Sequence, residues 1–140
     1  MPTRHATATW DGGMKGKGTF SGESGAVAAP FSVGSRFESA KGSNPEELLG
    51  AAEAACYSMA LSIGLEQAGT PVTHVETRAA VTIDKQGAGF AITSIKLVVR
   101  ATVPGIDAAK FKAAAEKTKE TCPVSQALKA VPIELDAQLV

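Results

Sequence analysis

A chain of 140 residues with 44% hydrophobic and 20% charged side chains and zero formal net charge has the profile of one folded, soluble domain of common size. The even balance of 14 basic and 14 acidic residues gives a nucleic-acid partner no support. No run approaches the ~18 apolar residues of a membrane span, and residues 1–10 lack the basic start and apolar block of a signal peptide. The expectation is a cytoplasmic protein with no membrane association. Cysteines are kept reduced there, so the two present point to catalysis, redox sensing or core packing before a structural disulfide.

Residues 5–10 alternate weakly, 16–22 are strand-like and bounded by glycine, and 30–37 form a third short strand pattern. A polar loop, 39–43, leads to a helix start: Asn44 to cap, Pro45 at the first helical position, and Glu47 to complete a capping box. The helix body, 48–67, is charged only at Glu53 and Glu66 and is apolar nearly all round, until Gly69 stops it. Two long strands follow, 72–85 and 90–103, joined at Gly87 and Gly89; Ile95, Leu97, Val99, Ala101 and Val103 share one face by period-two alternation. After the turn at Pro104 and Gly105, 106–120 reads as an Ala- and Lys-rich helix, partly exposed. Cys122 and Pro123 repeat helix-start grammar, and a last strand covers 131–140. Segregated strands and helices predict an α+β domain with an antiparallel sheet. An all-round apolar helix finds too little partner surface within so small a domain, which predicts dimerisation.

Cys56 lies in the middle of that helix among alanines, where a free cysteine ordinarily behaves as a small hydrophobe. As a nucleophile it must ionise, and apolar burial opposes that, so a cation has to be supplied. Arg36 is the best candidate, because a guanidinium stays charged when desolvated; Glu46, in the first turn of the same helix, is an acid able to hold it. Glu46 and Cys56 are ten positions apart, about 15 Å along a continuous helix. Either the helix breaks between them or the acid comes from a second chain, as it would if two copies crossed antiparallel near Ala51, with Gly50, Ala51 and Ala52 permitting close approach. Cys122 is either a second buried thiol or, at a helix start, one biased toward thiolate and able to resolve a sulfenic acid. His5 and His74 offer no metal-ligand spacing, and the lysines of 106–120 read as a solvated face.

The run Arg36-Phe37-Glu38, then Asn44-Pro45-Glu46-Glu47-Leu48, Ala54-Ala55-Cys56-Tyr57-Ser58-Met59-Ala60, Gly89-Phe90-Ala91-Ile92-Thr93, Val103-Pro104-Gly105-Ile106 and Cys122-Pro123-Val124-Ser125 closely resembles the osmotically inducible protein C (OsmC) family over nearly the whole chain. The resemblance implies an intertwined α+β homodimer, two central helices wrapped by sheets, with two active sites at the subunit interface. It implies a thiol peroxidase of organic hydroperoxides, with Cys56 attacking, Cys122 resolving it to a disulfide, Arg36 activating and Glu46 paired with Arg36. No metal or organic cofactor is implied; an external dithiol, of lipoyl type or another small dithiol, is the reductant. Lys15 and Lys17 stand where the organic hydroperoxide resistance subgroup carries its arginine, and Tyr57 replaces a common Phe, adding a hydroxyl expected near the peroxide pocket. Two other readings stay open: a non-catalytic stress-induced dimer holding an apolar ligand, and a thiol-disulfide reductase.

Overall fold

Glycine-bounded strands open the chain in the computed structural model, which describes every residue, Met1–Val140. Two compact units form, Met1–Leu48 and Leu49–Val140. In the first, β1 (Ala6–Asp11), β2 (Lys17–Gly22) and β3 (Ala28–Ser32) make an antiparallel sheet in that order. Trp10 and Phe20 flank Phe31, with ring centroids at 5.4 Å and 6.1 Å. A Cβ on Gly18 would stand 2.7 Å from the Phe31 ring, so glycine lets the aromatic lie flat on β2. Buried residues are few in this unit: Gly18, Ser35 and Glu46.

The third strand is shorter than its alternation predicts. Ser32 Oγ accepts from the Ser35 N–H at 3.0 Å and Ser35 Oγ accepts from the Ser32 N–H at 2.9 Å, a reciprocal cap that starts α1 (Val33–Phe37). Local side-chain capping thus wins over period-two patterning, and Arg36 belongs to the last turn of a helix, not to a strand or loop.

The predicted central helix is α2 (Pro45–Gln67), unbroken over 23 residues. Asn44 Oδ1 accepts from the Glu47 N–H at 2.8 Å, as a cap should, but the Glu47 carboxylate takes the Ser43 hydroxyl at 2.6 Å, so only half of the expected capping box forms. By length and apolar composition alone α2 could also cross a membrane, contrary to the expectation that no run approaches a span. Only one stripe of it is core: Glu53, Tyr57, Leu61 and Leu65, spaced by four, are all nearly inaccessible. Gly50 continues this buried stripe: a Cβ there would meet the Ala79 carbonyl oxygen at 3.3 Å. It serves packing on the sheet, contrary to the expectation that it faces a crossing helix. The other face, Ala51, Ala52, Ala55, Met59 and Ile63, is exposed, Met59 by 60% and Ile63 by 47%.

In the second unit β4 (His74–Gln86) and β5 (Gly89–Thr102) form the expected antiparallel hairpin, turned by Gly87 at φ 58, a conformation glycine adopts without strain. The predicted apolar face is the core, with Ile95, Leu97, Val99 and Ala101 at 0% exposure. The sheet is not antiparallel throughout. β6 (Ile133–Leu139) pairs with β5 in parallel, because the chain returns through α3 (Ala108–Thr121) and α4 (Pro123–Ala127), the crossover that a parallel neighbour requires. Asp107 caps α3 through its Oδ1, at 2.9 Å from the Lys110 N–H, and that contact holds its carboxyl below the usual range. Phe111, Ala115 and Thr118 face inward while Lys110, Lys112 and Lys117 are solvated, as the lysine pattern predicts; Lys119, expected on the same wetted face, is half-buried and pairs with Glu116 at 3.0 Å.

Candidate active site

Pro123 decides where the second cysteine points. A residue before proline is driven out of the α region, and Cys122 sits at φ −58, ψ 126, ending α3 and capping α4 at once. Its N–H still bonds the Thr118 carbonyl at 2.8 Å, so α3 fixes it from one side. The break turns its side chain onto α2, where Cys122 Sγ lies 3.1 Å from Cys56 Sγ. Both cysteines are free, Cys122 fully buried and Cys56 partly so. Sulfurs at this distance need about 1 Å of approach to reach disulfide length.

The chain's own surroundings work against ionising Cys56. Burial pushes the thiol above its ordinary value, the hydrogen bond shared with Cys122 adds to this, and the Val124 N–H opposes it; the nearby charges of Cys122 and Glu53 raise it further. The expectation that Cys56 is largely thiolate at neutral pH therefore requires a cation that its own unit does not bring to it.

Three further side chains frame the pair. Tyr57 is fully buried and donates its hydroxyl to the Ala115 carbonyl at 2.8 Å, tying α2 to α3. Burial raises its phenol far above the ordinary value. The hydroxyl expected near the peroxide pocket is thus a packing contact, of the kind that contributes about 1 kcal/mol. Glu53, also at 0% exposure, accepts from Ser125 Oγ at 2.5 Å, while its Oε2 has no hydrogen-bond partner. Sequence reasoning left both Glu53 and Ser125 out of the site. A helix apolar all round does not reveal which face is core, although the spacing of four from Glu53 to Tyr57, Leu61 and Leu65 is a signal that could have placed the carboxylate inside.

Arg36 and Glu46 meet as expected. The guanidinium grips the carboxylate side-on, Nε to Oε2 at 3.1 Å and Nη2 to Oε1 at 2.6 Å, and lies 5.3 Å from the Phe37 ring centroid. Glu46 is 8% exposed and Arg36 36%, leaving Nη1 available as a donor. His5 and His74 are both exposed, the first just before β1 and the second at the start of β4.

Two free thiols 3.1 Å apart on an α+β scaffold have the geometry from which a disulfide can form. The chain belongs to the OsmC-like protein family, which matches it over residues 38–136. It is 54% identical over 134 residues to "Peroxiredoxin OsmC" of Escherichia coli (strain K12), covering 94% of this chain and 93% of that one. It is 31% identical over 128 residues, 89% and 85% of the two chains, to "Organic hydroperoxide resistance protein" of Xanthomonas axonopodis pv. citri. Among solved structures, the organic hydroperoxide resistance protein OhrB of Bacillus subtilis superposes with a TM-score of 0.75 at 25% identity, over 96% of this chain and 98% of that one.

Proposed function

We propose that the protein is a cytoplasmic, cysteine-based peroxidase that reduces organic hydroperoxides at the expense of an external dithiol. The observation that carries this reading is the 3.1 Å approach of Cys56 and Cys122, in a chain whose 54%-identical relative bears the name peroxiredoxin. The Cys56 thiolate attacks the distal peroxide oxygen, the O–O bond breaks, and the alkoxide leaves as alcohol once protonated; the sulfur, now oxidised, is a sulfenic acid. Cys122 displaces that hydroxyl as water and the disulfide forms. A lipoyl-type or other small dithiol reduces it by exchange, so that no metal or organic cofactor enters the cycle.

The cation for Cys56 comes, in this reading, from a second copy. α2 is unbroken, so Glu46, ten positions before Cys56, is about 15 Å from it along the helix axis. An antiparallel crossing of two α2 helices near Ala51 sets residue 46 of one copy beside residue 56 of the other. The exposed apolar face of Ala51, Ala52, Ala55, Met59 and Ile63 suits that contact, since a large exposed apolar patch ordinarily marks an interface. Arg36 would then use Nη1 to hold the peroxide and stabilise the departing alkoxide, while Glu46 keeps the fork in place. Sedimentation of the full chain at micromolar concentration is expected to give a dimer; a clean monomer would remove the source of the cation.

Cys122→Ser is the experiment that separates this function from its rivals. It is expected to consume one equivalent of cumene hydroperoxide per site, then stop and accumulate sulfinic acid at Cys56, whereas the wild type turns over with dithiothreitol. Sustained wild-type turnover in the variant would show that Cys122 does not resolve Cys56. A dimer that only binds an apolar ligand would alkylate both thiols slowly at pH 7, and a thiol-disulfide reductase would ignore the peroxide.

A further inference from the structure

We infer that the buried Glu53–Ser125 pair is a latch that positions Cys122 for resolution by fastening the first turn of α4 to α2. The contacts are specific. Ser125 Oγ donates to Glu53 Oε1 at 2.5 Å, both side chains being almost wholly inaccessible. Glu53 lies one helical turn before Cys56, and Ser125 one turn after Cys122, so this single hydrogen bond spans the two segments that carry the sulfurs. The same short turn supplies the Val124 N–H that reaches Cys56. On its other side Cys122 is already fixed by its N–H to the Thr118 carbonyl. Apart from the latch, the polar ties of this segment to α2 are the Val124 N–H and Cys122 Sγ contacts, both made to Cys56 itself.

Stability does not explain the pair. A buried carboxylate oxygen without a hydrogen-bond partner, as Glu53 Oε2 is, is destabilising, and two apolar side chains of similar volume would fill the space without that penalty. What the pair supplies is geometry. The resolving step forms the Cys56–Cys122 S–S bond, breaks the S–O bond of the Cys56 sulfenic acid, and sends the Cys122 proton out with the leaving hydroxyl as water. It requires the attacking sulfur in line with the S–O bond, and misplacing a reacting group by about 1 Å costs on the order of 10²-fold in rate. Glu53 and Ser125 act here as positioning residues, touching neither peroxide nor reductant.

The inference rests on the proposed role of Cys122, and one rapid-mixing experiment distinguishes the two. Full-length protein is mixed with stoichiometric cumene hydroperoxide and quenched by alkylation. Mass spectrometry then gives the rate of loss of the Cys56 thiol and the rate of appearance of the Cys56–Cys122 disulfide. In Ser125→Ala the ratio of disulfide formation to peroxide consumption is expected to fall about tenfold or more, with sulfinic acid at Cys56 under excess peroxide. Glu53→Gln, which keeps an acceptor for the Ser125 hydroxyl, is expected to retain the wild-type ratio, a tolerance that general sensitivity of the core to substitution would not show. Should Ser125→Ala fail to fold, the double variant Glu53→Met, Ser125→Ala leaves no polar group to bury and decides by the same ratio. An unchanged ratio in Ser125→Ala, or in the double variant should Ser125→Ala not fold, overturns the latch alone; a wild-type protein that forms no Cys56–Cys122 disulfide overturns the role of Cys122 and the latch with it.

Discussion

Serine in place of Cys56 is expected to abolish dithiol-dependent peroxide turnover, a loss on the order of 10⁴-fold or more in kcat/KM, because the nucleophile itself is gone. The fold should persist. Cys56 makes no covalent link, its half-buried side chain differs from serine by one atom, and the buried stripe of Tyr57, Leu61 and Leu65 is untouched. The assay follows consumption of cumene or t-butyl hydroperoxide beside hydrogen peroxide, with circular dichroism to confirm folding. Preference of the wild type for the bulkier peroxides would match an apolar pocket beside the exposed α2 face. Steady-state activity surviving in a folded Cys56→Ser protein would end the proposed mechanism, whatever the sulfurs' proximity.

Much of this site is legible in the chain because its chemistry is written in local grammar. Asn44-Pro45 announces the start of α2, Pro123 announces the break that aims Cys122, and the alternation from Ile95 to Val103 announces the buried sheet face. Each of these signals acts within a few residues. The parallel pairing of β6 with β5 does not, since strand direction follows from where a crossover returns and not from the strand's own pattern. The end of β3 at Ser32 was obscured for a different reason: Ser32 and Ser35 look like strand residues until their side chains are seen to cap one another. Glu53 was hidden by the very uniformity of α2, where apolar residues on every side leave the phase of the helix undefined. The resemblance to the OsmC family supplied the pairing of Cys56 with Cys122 across 66 positions, which spacing alone left open.

Arg36→Met, which keeps much of the side chain's apolar stem and removes its charge, is expected to slow iodoacetamide alkylation of Cys56 at pH 7 on the order of 10²-fold. The sign follows from the thiol's own surroundings. Burial first, then the shared hydrogen bond with Cys122, raises the Cys56 thiol above its ordinary value, so without an opposing cation the thiolate appears only as pH climbs through that raised value. Alkylation in the variant should therefore rise steadily with alkaline pH, whereas the wild-type rate should already be near its plateau at neutrality. Glu46→Gln should fall between the two, since the guanidinium keeps its charge but loses the carboxylate that it grips through Nε and Nη2. Coincident pH profiles for Arg36→Met and wild type would discard the electrostatic step. Mixing Arg36→Met with Cys56→Ser subunits then tests where the cation comes from. Neither parent has a complete site, but a mixed dimer joins an intact Cys56 on one chain to an intact Arg36 on the other, so subunit exchange should restore roughly a quarter of wild-type turnover from statistical pairing. Exchange without recovery would place the guanidinium and the sulfur in the same chain, and the antiparallel crossing of α2 would have to be abandoned.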